Sequence, residues 1–135
     1  MSARHKARKA AIDLLYSAEQ REQSLSVALD EFDVRETGKR EPITEIAYVR
    51  EIVRGVEERQ STIDEEISAH LKDWTINRLF AVDRAILRLA VWELLYSETP
   101  NDAARAEALA LAEEYGSDDA ARFIGGVLGA IVRDS

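Results

Sequence analysis

The stretch VDRAILRLAVWELLYS, Val82 to Ser97, decides the fold. At 100° per residue its apolar side chains cover nearly the whole circumference. Only Asp83, Arg84, Arg88 and Glu93 interrupt, and they do not gather on one face. A helix that is apolar all round is enclosed by other helices. The expectation is therefore a compact helical bundle with this helix at its centre. Its four charged residues must then lie near the rim, be paired, or meet a partner, because an unpaired buried charge is costly.

Working outward, helical spacing recurs along the 135 residues and no alternating apolar–polar run reads as a strand. A first helix is predicted over Ala3–Gln20, with Ala7, Ala10, Ala11, Leu14, Leu15 and Ala18 as its core stripe. A second starts near a Ser24 N-cap and stacks Leu25, Ala28, Leu29 and Phe32. RETGKREP, Arg35–Pro42, is the clearest loop. A third helix runs from Pro42 to about Arg59 with Ile46, Val49, Val53 and Val56. Thr62 and Glu65 then form a capping box for a fourth, carrying Ile63, Ile67, Leu71 and Trp74. After the central helix, Thr99 and Pro100 open a sixth as N-cap and first helical residue, and Gly116 ends it. Ser117 opens a seventh, with Asp118 and Asp119 suited to the helix dipole. The fold class is all-α, about seven helices in a single domain over residues 1–135.

Cysteine is absent, which excludes disulfides and thiolate metal sites and suits a reducing cytoplasm. The longest apolar run, FIGGVLGAIV from Phe123 to Val132, is too short for a bilayer span of about 20 residues. The basic start is not followed by a signal-peptide pattern. The expectation is a soluble cytoplasmic protein with no membrane association.

The net charge of −8 is unevenly spread. Residues 1–10 hold Arg4, Lys6, Arg8 and Lys9 and no acid, leaving 14 bases against all 26 acids elsewhere. A basic arm on an acidic body points to a local polyanion site, with solubilising charge as the simpler alternative. On a helical wheel measured from Ala11, Arg4 falls just inside one edge of the core stripe and Arg8 just outside it. His5, Lys9 and Lys6 continue around the outer face. Ile12 and Tyr16 also miss the stripe. Either another helix covers them or they form a partner surface beside the basic cluster.

These residues resemble a known family. ARHKARKAAIDLLYS is similar to the arginine-rich first helix of the NusB transcription antitermination factors. The resemblance continues through YVREIVRGVEERQSTIDEEI and RAILRLAVWELL and ends in YGSDDAARFIGGVLGAI, in the right order over essentially the full chain. It implies two packed helical subdomains, approximately 1–75 and 76–135, and no enzymatic activity. It further implies recognition of boxA-type single-stranded RNA of ribosomal RNA operons together with the small ribosomal protein NusE, within the transcription elongation complex. By matching position the RNA-binding residues are Arg4, His5, Lys6, Arg8 and Lys9, then Asp119, Arg122 and Phe123. The partner-binding residues are Tyr16, with Ile12 beside it, and Asp83.

The sequence also departs from the family pattern. Arg105 and Ala106 stand where an aliphatic residue and an asparagine are usual. Ala120 and Gly125 replace a serine and an asparagine. The alternative function is therefore a divergent protein–protein or self-associating module with weakened RNA specificity. No H-E-x-x-H, G-x-G-x-x-G or P-loop is present, and the two histidines, His5 and His70, are far apart in sequence. No enzyme, cofactor or metal site is expected. Gly125 and Gly129, spaced i, i+4, permit close backbone approach, either inside the fold or in a homodimer.

Overall fold

The computed structural model describes residues 2–135. It contains six α-helices and one 3-10 turn in the order α1 (Ala3–Gln20), α2 (Leu25–Thr37), α3 (Ile46–Ala69), η1 (Ile76–Arg78), α4 (Ala81–Tyr96), α5 (Asn101–Tyr115) and α6 (Ala120–Asp134). No strand occurs among the described residues. Two compact units divide the chain, one through Glu58 and one over Arg59–Ser135, with the division inside α3.

The two helices expected on either side of residue 60 are one. No glycine or proline separates Arg59 from Thr62, and the buried stripe Val49, Ile52, Val56, Ile63, Ile67 holds its register throughout. A Thr–Glu pair at cap spacing does not end a helix that has no breaker before it. Other starts also shift. Pro100, not Thr99, is the N-cap of α5. Asp119, not Ser117, is the N-cap of α6. Trp74 leaves the α3 stripe, because α3 stops at Ala69.

In the first unit Ser2 caps α1 by accepting from the His5 N–H at 3.0 Å. Ser24 caps α2 by accepting from the Val27 N–H at 3.2 Å. α1 packs on α2. The first half of α3 is tied to α2 by Ser26 Oγ donating to Glu57 Oε1 at 2.9 Å and by Arg50 Nε donating to Asp33 Oδ1 at 3.1 Å. Glu36 is fully buried at the end of α2. It pairs with Lys39 and accepts from the Ile43 N–H, and these contacts hold its carboxyl below the ordinary carboxylate range.

In the second unit α4 packs against both α5 and α6, and α5 packs along α6. Nearly all of Asp83–Glu93 is buried. The charges on α4 are paired, as burial requires. Asp83 accepts from Ser117 Oγ at 2.6 Å and from the Ser117 N–H at 3.1 Å. Arg84 Nη1 donates to the carbonyls of Ile76 and Leu79 at 3.1 and 2.8 Å. Arg88 grips Asp64 in a two-pronged pair at 2.9 and 3.0 Å. Glu93 accepts from Thr99 Oγ1 at 3.3 Å. Two of the three α6 glycines face α5 closely: a Cβ on Gly125 would meet Leu109 at 3.1 Å, and one on Gly129 would meet Arg105 Nη2 at 3.2 Å.

His70, just past α3, joins the last turn of α6. Its Nδ1 lies 2.9 Å from the Glu66 carbonyl and its Nε2 lies 2.9 Å from Asp134 Oδ2. Both neighbours are acceptors, so satisfying both requires the doubly protonated ring. The Glu66 carbonyl, the Asp134 hydrogen bond and the two nearby carboxylates raise the pKa above its ordinary 6.5, against the opposing effect of burial. A raised folded-state pKa stabilises the fold fully below the unfolded value. That contribution is lost as pH rises through the folded value. Amide exchange in the last turn of α6 is therefore expected to quicken as pH climbs above 6.5, beyond the intrinsic pH trend. Asp134→Asn should shrink that extra change, and an NMR titration of the His70 ring should give a midpoint above the ordinary one. A His70 midpoint at or below the ordinary value would rule this out.

Candidate nucleic-acid interface

One candidate region is formed by the basic turns of α1, in the first unit. Arg4, Lys6 and Lys9 are exposed. Tyr48, buried on α3, organises the arginines: the Arg4 guanidinium lies 3.8 Å from its ring centroid and that of Arg8 lies 5.6 Å away. Cation–π contact of this kind preorganises a cation without neutralising it. Arg4 Nε is also 4.0 Å from Glu45 Oε2, a loose contact between exposed groups.

The wheel placed His5, Arg8 and Ile12 outside the core stripe, but all three are buried, at 8%, 5% and 3% exposure. They are spaced i, i+3, i+7 and occupy one arc, about 60° to 120° from Ala11. The fold covers that arc as well as the predicted stripe. A wheel counts only a helix's own apolar residues, so it cannot see a neighbour that accepts an arginine against an aromatic ring. Ile12 thus offers no surface to a partner. Tyr16, one turn further, is 38% exposed.

A second, separate candidate region lies in the unit Arg59–Ser135. Asp83 is buried and committed to Ser117. Its bonds fix the turn between α5 and α6 onto the first turn of α4. That turn brings Asp119 to the head of α6 with φ 65°, a left-handed conformation that aspartate tolerates better than most residues. Arg122 is exposed and Phe123 half-buried on the first turn of α6. Asp83, Asp119 and Phe123, expected to belong to two different surfaces, share the lining of one groove with Trp74, Arg78 and Phe80.

Sequence reading missed those last three and Tyr48. Trp74 extended an apolar stripe and so read as core. Phe80 directly precedes the central helix and carried no signal of its own. Only their exposures, 56% and 71%, mark them as available. Ala120, where the family usually has serine, is buried against the backbone turn at Gly116. Among the described residues no group of carboxylates, histidines or cysteines is arranged to hold a metal ion. No helix there is long and apolar enough to cross a membrane.

Comparison with known proteins bears on this geometry. The family model described as NusB family matches residues 5–133. The chain is 46% identical over 137 aligned positions to the transcription antitermination protein NusB of Leifsonia xyli subsp. xyli (strain CTCB07), covering 99% of this chain and 94% of that protein. Its fold is similar to that of T. maritima NusB, with a TM-score of 0.85 and 31% identity, covering 99% of this chain and 93% of that one. It is similar, with a TM-score of 0.85 and 27% identity, to a chain in a crystal structure of the antitermination factors NusB and NusE in complex with dsRNA. That match covers 100% of this chain and 99% of the other.

Proposed function

The chain belongs to the NusB family, and we propose that it binds boxA-type single-stranded RNA of ribosomal RNA operons together with the ribosomal protein NusE, within the transcription elongation complex. The observation that carries this reading is the exposed cluster Arg4, Lys6 and Lys9 at the head of α1, with Arg4 stacked on Tyr48, in a chain whose net charge is −8. A similar protein has been captured with both NusE and RNA, which supports the pairing of partners.

In this reading Arg4, Lys6 and Lys9 contact phosphates. His5 and Arg8 act from beneath by setting the shape of the basic turns. Asp119, Arg122 and Phe123 make a separate RNA contact at the head of α6. Tyr16 is the exposed partner contact on α1. Asp83 acts by holding the α5–α6 turn through Ser117. No catalytic step is involved.

Three phosphate contacts on a single strand give log K against log salt a slope of about −2. Anisotropy titrations with a short boxA-type RNA, with and without NusE, are expected to show that slope. Arg4→Ala, Lys6→Ala and Lys9→Ala combined should nearly abolish it. Unchanged affinity and slope in the triple variant would remove the basic turns from the RNA site. Equal affinity for boxA-type and scrambled RNA would favour the protein-interaction alternative.

A further inference from the structure

We propose that the outer face of α2 is a docking surface for a basic segment of a partner protein, and that one lysine or arginine side chain of that segment enters the groove between α2 and the first half of α3. The surface lies within the first unit. It shares no residue with the basic turns of α1 and does not rest on the RNA reading.

The inner side of α2 is Ala28, Leu29, Phe32 and Glu36, all buried. At 100° per residue Val27 and Val34 fall within about 20° of one another on the opposite side, two turns apart along one line. They expose 47% and 74% of their surface. Valine is a poorer helix former than alanine, glutamate or lysine, so the helix itself gains nothing from it at an exposed position. Two aliphatic side chains in line on a helix face are the pattern by which one segment anchors another. Carboxylates flank the line on both sides. Glu31 is engaged locally, accepting from Gln23 Nε2 at 2.8 Å. Asp30, on the side of α3, is exposed.

Beside Asp30 the two helices enclose a groove of about 320 Å³. That is at the small end of ligand pockets and suits one long side chain. Leu25, Leu29 and Val53 line it with apolar surface, and Asp30, Glu57, Glu58 and Arg54 line it with charge. Lysine and arginine combine a hydrocarbon stem with a charged head and so match both linings. Glu57 is already held in place, accepting from the Ser26 N–H at 3.2 Å and from Ser26 Oγ at 2.9 Å. Two donors leave a carboxylate with unused acceptor positions, and its ordering is paid before a partner arrives. Arg54 offsets one of the three negative charges, so the groove keeps an excess of acid. That excess selects the occupant. RNA would bring phosphates against carboxylates. A second copy of the chain, meeting through the same face about a twofold axis, would set Asp30 and Glu58 against their own counterparts. A basic segment neutralises the excess and covers the valines.

The probe is a helix-forming peptide of about 14 residues with two leucines spaced i, i+7 between arginines. Its control carries glutamates in place of the arginines. Each is titrated into the full chain, and backbone amide shifts in NMR report where it binds. The basic peptide is expected to move the amides of Val27, Asp30, Val34 and Glu58 and to bind more weakly as salt rises, while the acidic peptide leaves them in place. Asp30→Asn with Glu58→Gln should weaken binding roughly 5-fold or more. Val27→Ser with Val34→Ser should weaken it roughly 10-fold. Asp30→Lys with Glu58→Lys should transfer the preference to the acidic peptide, which a merely structural role would not do. All four side chains are exposed, so melting temperature and the salt slope of RNA binding should stay at wild-type values. Shifts scattered over the acidic surface that survive both neutral double variants would report net charge alone and overturn the proposal. Equal binding of the two peptides would also overturn it. So would a dimer in sedimentation that Val34→Ser dissociates, which would make the face a self-association surface. A chain that docks the basic peptide on α2 and binds no RNA overturns the RNA reading alone.

Discussion

Leu87→Ala is expected to destabilise the fold by about 2–5 kcal/mol, the range for a buried leucine truncated in a close-packed core. Leu87 is fully buried in the middle of α4, the helix that packs on both α5 and α6. The variant loses the transfer free energy of three carbon atoms and leaves a void that two neighbouring helices can only partly close. Its neighbours in sequence are themselves core residues: Ile86, Leu89, Ala90 and Val91 are each at most 1% exposed. Urea unfolding should show the midpoint falling with little change in slope. Leu87→Met, which conserves volume, should cost less than about 1.5 kcal/mol. Equal losses in the two variants would mean that the site tolerates no change of shape, and the cavity account would fail.

Gly116→Ala is expected to cost about 3 kcal/mol, the upper end for overpacking, and to lower the melting temperature by roughly 10 °C. The reason is space, not backbone conformation, since the residue sits at φ −79°. A Cβ there would lie 2.7 Å from the Ala112 carbonyl oxygen, 2.7 Å from the Ala120 Cβ and 3.1 Å from Asp83 Oδ1. Two of these neighbours are a backbone atom and the first side-chain carbon of a helix residue, which cannot rotate away. The turn must move, and with it Ser117, whose two hydrogen bonds to Asp83 set the head of α6. If the head of α6 contacts RNA as proposed, the variant weakens that contact through Asp119, Arg122 and Phe123 even at temperatures where it stays folded. Gly126→Ala is the control on the same glycine-rich stretch, because nothing lies within 4 Å of a Cβ at that position. It should be neutral or stabilising, since alanine favours the helix by about 1 kcal/mol over glycine. A Gly116 variant as stable as the Gly126 variant would show that the turn has slack.

The two regions proposed to contact RNA draw on different kinds of side chain. At the head of α1 the chemistry is charge held in place by an aromatic ring. At the head of α6 it is exposed aromatic surface bordered by carboxylates. The acidic body of the chain opposes non-specific polyanion binding, so contacts outside these two regions carry a penalty.

Much of the fold could be read from local pattern. The encirclement of Val82–Ser97 by apolar residues predicted a buried helix, and nearly all of its middle is buried. The bounds of the first helix and the Ser24 cap follow from spacing and cap chemistry, which act within one turn. The matching order of segments identified the family. The charges of the basic arm were visible as charges. Where reading failed, a distant residue decided the outcome. Helix three ran on past Thr62 because caps are weak beside an unbroken core stripe. His5, Arg8 and Ile12 went inside because α1 is covered on a second arc that its own sequence does not mark, with Tyr48 over the arginine. Asp83 became the brace of the α5–α6 turn because Ser117, 34 residues later, reaches it. Trp74, Arg78 and Phe80 became groove lining because Arg84 pins their loop by its carbonyls. Sequence alone determined which segments are helical, which helix is buried and where positive charge collects, since those follow from nearest-neighbour physics. Which charged residues remain exposed, and which aromatic rings stay uncovered beside them, was decided only by tertiary packing, because exposure belongs to the neighbours a residue acquires and not to the residue itself.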